Sequence, residues 1–378
     1  MKQYRFSISL ALAVILIMAD TDHAYGRSRA GSRNERKLPG LKTNTAKRTI
    51  ELHELEKGGP GKDGIPSIEK PVFIEQKSAQ KWLRPNEPVI SLVINNESRA
   101  YPLQILIWHE IVNDTVAGVP VSVTFCPLCY SANVFDRRVN GRSYSLGVSG
   151  MLRHSDMVMY DRQTESLWQQ ITGEAIVGDM VGSKLKRIPA QIISFKQFRS
   201  AHKNGLVLSR KTGFRRNYGQ NPYAGYDDIS KSPFMYRGKK DGRLLPMEKV
   251  VTISMAGSDK AYPYSVTQKL QVINDKIADV PVVVFHADGA ISALDKGRIS
   301  SSRNIGSTGV FDRRVDGRTL SFRYSNGSFY DKQTASVWDI TGQAVKGPLQ
   351  GKKLTRIVHG DYFAFAWFAF KPETEIYQ

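Results

Sequence analysis

Phe135-Asp136-Arg137-Arg138-Val139-Asn140-Gly141-Arg142 returns later in the chain as Phe311-Asp312-Arg313-Arg314-Val315-Asp316-Gly317-Arg318. Each octapeptide centres on Asn-Gly or Asp-Gly, a pair that tolerates two successive positive φ angles and so closes a two-residue β-hairpin. The recurrence spreads outward in the same order. Upstream, Arg99-Ala100-Tyr101-Pro102 answers to Lys260-Ala261-Tyr262-Pro263, Val112-Asn113-Asp114 to Ile273-Asn274-Asp275, and Val119-Pro120 to Val280-Pro281. Downstream, Tyr160-Asp161-Arg162-Gln163-Thr164 answers to Tyr330-Asp331-Lys332-Gln333-Thr334, Trp168 to Trp338, and Thr172-Gly173 to Thr341-Gly342. Gly182, Leu185 and Arg187 likewise match Gly351, Leu354 and Arg356. A repeat of this kind decides the architecture, because each copy is one structural unit.

Within the first copy the local patterns read mainly as strands. Val89 to Asn95 alternates, Val119 to Phe125 is a β-branched run, and Asn133 to Val139 and Arg142 to Val148 flank the Asn-Gly turn. Leu103 to Val112 reads as a short helix, with Ile105, Leu106 and Ile111 available for packing. The expected fold is mainly β with short helices, a β-rich α+β chain. It is built as two tandem, duplicated barrel-like or sandwich-like modules, the second degenerate. The first module is expected over residues 50–235 and the second over 236–378.

Residues 1–26 precede these modules and carry a secretory pattern. Met1 to Arg5 is basic, Phe6 to Ala19 is apolar, and Ala24-Tyr25-Gly26 places small residues where a signal peptidase cuts. The apolar run is short for a membrane span, so export to the periplasm or beyond is the expectation and an N-terminal membrane anchor the alternative. Arg27 to Arg48 holds eight Lys/Arg and one Glu, a concentrated share of the net charge of +19. Residues 27–49 read as a disordered basic tail. Such a tail is either a solvated spacer or a contact for an anionic envelope surface. No nucleic-acid-binding module is recognisable, and no transmembrane span is expected once the signal is removed. Nucleophile elbows, P-loops and HExxH are also missing from the sequence.

The only two cysteines lie in Phe125-Cys126-Pro127-Leu128-Cys129-Tyr130. A secreted chain stapled by disulfides carries more of them, and a Cys126–Cys129 bridge would close too small a loop to constrain the unfolded chain much. Three uses remain open: a metal clamp, a redox dithiol, or packed core thiols. The strand–turn–strand setting is that of a metal knuckle, whereas a reactive dithiol usually begins a helix. His109, at the end of the helix before the cysteine strand, is the first further ligand. His154 is the weaker candidate, with Glu110, Asp156 and Glu174 behind it. Glu110 and Glu174 are also the candidates for any catalytic acid. Copper, zinc or iron suits such a donor set. A lone histidine is, in the ordinary case, a satisfied core residue. The repeat favours the ligand reading, because the second copy lacks the cysteines, replaces Trp108-His109-Glu110 with Lys269-Leu270-Gln271, lacks the stretch around His154, Ser155 and Asp156, and replaces Glu174 with Gln343. Residues kept in both copies, such as Tyr101, Asp136, Asp161 and Trp168, read as architectural. The CPLC position of the second copy reads His286-Ala287-Asp288-Gly289.

The chain also resembles a widespread prokaryotic family catalogued only as a domain of unknown function, commonly exported. The resemblance rests on Gly61-Lys62-Asp63-Gly64-Ile65-Pro66, Ala100-Tyr101-Pro102, Trp108-His109-Glu110-Ile111-Val112-Asn113-Asp114, Phe125-Cys126-Pro127-Leu128-Cys129, Tyr160-Asp161-Arg162-Gln163-Thr164, Leu167-Trp168-Gln169-Gln170, Thr172-Gly173-Glu174-Ala175 and Asn221-Pro222-Tyr223. It places His109, Glu110, Cys126 and Cys129 in motif positions and implies no reaction. Three functions are therefore carried forward: an exported Cys/His metal protein, a thiol–disulfide protein using Cys126 and Cys129, and a non-catalytic envelope-binding protein. Whether it is an enzyme is left open.

Overall fold

The computed structural model describes residues 38–378. The signal-peptide pattern over 1–26 and residues 27–37 of the basic segment lie outside the described residues. The remainder is mainly β with short helices. The sheets are open, with none closed into a barrel.

The duplication appears strand for strand. In the first copy Pro88–Ile94 and Glu97–Pro102 form a hairpin, flanked by Ala190–Ser194 on one side and by parallel Leu206–Leu208 on the other. In the second, Lys249–Met255 and Ser258–Pro263 are flanked by His359–Phe363 and by parallel Glu375–Ile376. A second sheet orders Ile111–Val116, Val119–Cys126, Ser131–Asp136 and Lys186–Ile188. Its counterpart orders Val272–Ile277, Val280–Ala287, Ser307–Asp312 and Thr355–Arg356. The quoted octapeptides form matching ribbons, with Asn140 and Gly141 at φ 50 and 76° and Asp316 and Gly317 at 49 and 76°. These are the angles that the Asn-Gly and Asp-Gly pairs exist to supply.

The residues shared by both copies do the same structural work twice. Tyr101 donates to Asp114 at 2.7 Å and Tyr262 to Asp275 at 2.8 Å. Trp168 Nε1 donates to Asp161 and Trp338 Nε1 to Asp331, both at 3.0 Å. Thr164 and Thr334 close the same turn, each donating its backbone N–H to that aspartate at 2.6 Å. A buried indole and a buried carboxylate satisfy each other here, so neither is left without a partner.

The copies share their cores. Phe363, Phe365 and Trp367 pack in one cluster with Cys126, Cys129 and Tyr130. Ile193, Phe195 and Phe198 pack with Phe285, Phe311 and Trp338 in another. Buried hydrogen bonds cross between them, from Gln191 Nε2 to Thr308 O and Ile340 O (3.1 Å each) and from Tyr362 to Asn133 Oδ1 (2.7 Å).

Two local expectations change. The helix before the cysteine strand spans Leu103–His109 rather than reaching Val112. Glu110 turns to φ 57°, and Ile111 and Val112 instead pair with Thr124 and Val123, as β-branched residues favour. The described part of the basic segment is also packed. Leu38 and Leu41 are buried in an apolar cluster with Tyr160 and Leu167, and Thr49 N–H donates to Ile176 O at 3.0 Å. Its cations sit on a backbone held by two leucines, which a charge count does not register. Among the described residues no helix is long and apolar enough to cross a membrane.

Candidate metal centre

The cysteine strand Val119–Cys126 lies inside its sheet, with Val121, Val123 and Phe125 fully buried. At its end a tight turn returns the chain, Cys129 N–H donating to Cys126 O and Tyr130 N–H to Pro127 O at 3.3 Å each. Tyr130 at φ 53° then starts Ser131–Asp136. The turn sets both sulfurs facing one point, and both cysteines are buried and free.

The third member comes from a neighbouring hairpin. Leu146–Arg153 and Asp156–Asp161 pair around a His154-Ser155 turn whose residues both have positive φ. Asp156, just past that turn, joins Cys126 and Cys129 so that one ligand atom from each lies within 4.8 Å of the others. Asp156 Oδ2 accepts from Gln169 Nε2 at 2.6 Å and from Ile171 N–H at 3.0 Å. Asp156 Oδ1 and Ser155 Oγ, both buried, find no hydrogen-bond partner among the described residues. The second copy keeps the hairpin but shortens it: Phe322 pairs Asp331 where Leu146 pairs Asp161, and the turn moves to Asn326-Gly327. The extension that carries Asp156 exists only in the first copy.

Glu110 lies near enough to feel the Asp156 charge but outside the group of ligand atoms that lie within 4.8 Å of one another. It is buried, and its carboxyl makes no hydrogen bond among the described residues. Burial, followed by the nearby Asp156 charge, pushes its pKa up to about 8. Burial pushes Asp156 up to about 7 against its hydrogen bonds. It also raises the Cys129 thiol, with Cys126 and Asp156 adding to the effect. No cation stands among the causes acting on Glu110. Burial thus holds Cys129, Asp156 and Glu110 toward their protonated forms, the arrangement a bound cation reverses.

The histidines lie elsewhere. His109 Nδ1 faces Pro66 O at 2.7 Å and Nε2 faces the Tyr218 hydroxyl at 2.6 Å, and its ring leans on Phe214. Burial lowers its pKa to about 4. With both nitrogens engaged it stays outside the Cys126, Cys129 and Asp156 group. His154 Nε2 lies 3.7 Å from Glu54, its ring between Tyr236 and Phe370. Glu174 is exposed and pairs with Lys184 at 2.9 Å. The loop from Arg215 to Asp228, whose Tyr218, Tyr223 and Tyr226 stand among Gly, Asn and Pro, reads in sequence as ordered and packed on the surface, with a pocket lining as the alternative, and in the structure it comes to the site. Tyr223 is packed against the core and responds to the charges of Glu110 and Cys126, while Tyr226 donates to Leu128 O at 3.1 Å.

The strand ladders refine the comparison of copies. Ile111 pairs Thr124 and Val272 pairs Phe285, so Cys126 corresponds to Ala287 and His286 to Phe125. The CPLC turn therefore corresponds to a stretch beginning at Ala287, one residue later than the sequence alignment placed it. It is also far longer in the second copy, running to Ser307 before the next strand.

Among curated proteins and among solved structures, none matches the chain. Residues 62–374 match the family described as protein of unknown function (DUF3179), and the chain belongs to that family.

Proposed function

We propose that the protein is a metalloprotein whose first copy holds one transition-metal ion on the thiolates of Cys126 and Cys129 and the carboxylate of Asp156, with Glu110 as the fourth group. The observation that carries this is the unpartnered, buried Asp156 Oδ1 beside two buried thiols. A buried polar atom left unpaired costs free energy, and a metal ion is the partner the surrounding donors suit. Two thiolates with hard carboxylate oxygens favour zinc or iron over monovalent copper, which prefers sulfur alone. Such a donor set replaces the Cys/His centre expected from the sequence, in which His109 was the imidazole ligand. The dithiol alternative has less support, because Cys129 is buried with its thiol pushed up, and a strand rather than a helix follows it. The secretory pattern of residues 1–26 supports a location outside the cytoplasm for this centre.

Elemental analysis of protein purified without chelator, and again after stripping and reconstitution, tests the reading. About one equivalent of zinc or iron is expected in the wild type, and essentially none in the folded Cys126→Ser/Cys129→Ser variant. A wild-type protein that neither carries nor takes up metal refutes it.

A further inference from the structure

Residues 218–227 pass over the candidate centre as a strap. On its inner side Tyr218 meets His109, Trp108 Nε1 donates to Gln220 O at 3.1 Å, and Tyr226 reaches Leu128 O between the two cysteines. Tyr223 lies between these anchors, half-buried against the core.

On its other side the strap is held by the second copy, and largely by the segment that stands where the first copy has its cysteine turn. Ile299 N–H donates to Gly219 O at 3.0 Å, Asn221 N–H to Gly297 O at 2.8 Å and Gly225 N–H to Asp295 O at 2.7 Å. Asp227, 2% exposed, ends the strap. Its carboxylate accepts from Ser292 Oγ at 2.5 Å and from Arg303 Nη1 at 3.1 Å, while Arg303 Nη2 donates to its carbonyl at 2.9 Å. Lys249 Nζ lies 3.6 Å from the same carboxylate and 3.8 Å above the Tyr130 ring, next to Cys129. Arg303 also pairs with Asp295 at 3.0 Å, so one guanidinium joins the holding segment to the strap.

We propose that the second copy serves as a latch: Arg303, seconded by Lys249, holds the 218–227 strap closed over Cys126, Cys129 and Asp156 and so sets the rate at which ions and thiol reagents reach them. For the ion, this rests on the metal reading above. For thiol access it does not. Where the first copy has its cysteine turn, the second copy has a segment that grips the cover of that site. Arg303 and Lys249 are positioning residues, since neither touches the sulfurs.

Two measurements separate the latch from the metal. In stripped, native protein, the rate of Cys126 and Cys129 alkylation by iodoacetamide is compared between wild type and Arg303→Ala. In zinc-loaded protein, the rate of release to a chelator is compared between the same pair. Losing a charged hydrogen-bonded pair to Asp227 is expected to speed both by about tenfold or more while the melting transition stays cooperative. Arg303→Lys, which keeps a cation but not the fork, is expected to recover part of the difference. Unchanged alkylation in folded Arg303→Ala overturns the latch even if the protein binds zinc. Faster alkylation in a protein that holds no metal upholds the latch and refutes only the metal reading. Should Arg303→Ala not fold, Arg303→Gln, which keeps most of the aliphatic stem, is judged by the same rates.

Discussion

Replacing Glu110 by Gln in metal-stripped protein should flatten the dependence of stability on pH. The folded pKa of Glu110 is about 8 against an ordinary 4.5, because burial and the Asp156 charge penalise the ionised form. Between those values the native state keeps a proton that the unfolded chain releases, so stability falls as pH rises. It is full below about 4.5 and the loss is complete above about 8. At about 1.4 kcal/mol per pKa unit, the window is worth on the order of 5 kcal/mol, a large part of the 5–15 kcal/mol typical of a folded domain. Asp156 contributes a slope of the same sign at lower pH in both proteins. Urea unfolding in chelator at pH 5, 7 and 9 measures the difference. The two proteins should agree within about 1 kcal/mol at pH 5, and at pH 9 the variant should be more stable by on the order of 5 kcal/mol. Zinc should restore the wild type at pH 9, since the ion takes the place of the protons. Parallel curves for the two stripped proteins would refute the account of a dry, uncompensated carboxyl at this position.

Other perturbations address the histidines and the repeat. His109→Ala should keep its metal while losing about 1–3 kcal/mol, because two ring hydrogen bonds are buried there; metal loss from a folded variant would return His109 to the coordination sphere. Asp161→Asn and Asp331→Asn should lower stability by similar amounts, on the order of 2–4 kcal/mol, because each breaks the same Trp and Thr contacts; a loss in one copy alone, read by thermal melts, would break the equivalence. His202, lowered to about 4 by burial and by Arg356 and Lys353, is held neutral in the fold. Its contribution is therefore full above pH 6.5 and drains as pH falls toward 4. The wild type should lose up to about 3 kcal/mol more than His202→Gln over that range, and equal losses would show that the ring is free to protonate in place.

What the sequence exposed was mostly what is local and repeated. The Asn140-Gly141 and Asp316-Gly317 turns carry their φ requirement in their chemistry, and the matched Tyr-Asp and Trp-Asp landmarks announced contacts that the structure makes twice. The centre was harder, because it joins a turn to the tip of a separate hairpin. The shortened hairpin of the second copy did flag residues 154–156, but type preference raised His154 above Asp156. In the structure the turn sends His154 toward Glu54 and brings Asp156 to the sulfurs. The same applies one helix earlier. His109 ends the helix and points to Pro66 O and Tyr218, while the positive φ at Glu110 redirects the chain into the site. Adjacent residues at a cap diverge, and spacing alone cannot say which one turns inward. The tyrosines of the strap stood out in the sequence, but its anchors did not, because they come from 292–303, a stretch with no counterpart in the first copy.

The two copies also bear on why an unfavourable site persists in a stable fold. Both carry the same core strand orders, to which the first copy adds Glu56–Lys57 and Phe73–Glu75 as edge strands, and the same ribbons and buried Tyr-Asp and Trp-Asp pairs, so the architecture closes without the cysteines, Asp156 or Glu110. The second copy meets the same positions with Ala287 and Gln271 and crowds no thiols and carboxyls there. In the first copy, burial raises the pKa of Glu110, Cys129 and Asp156 together, a free-energy cost that folding alone does not require. In the proposed centre a cation beside Cys126, Cys129 and Asp156 would offset that cost, because groups destabilised by desolvation regain the most when neutralised. What surrounds the cysteine turn is therefore a wall from the shared core, the tyrosine-bearing 218–227 segment, and the 292–303 segment of the second copy that holds it.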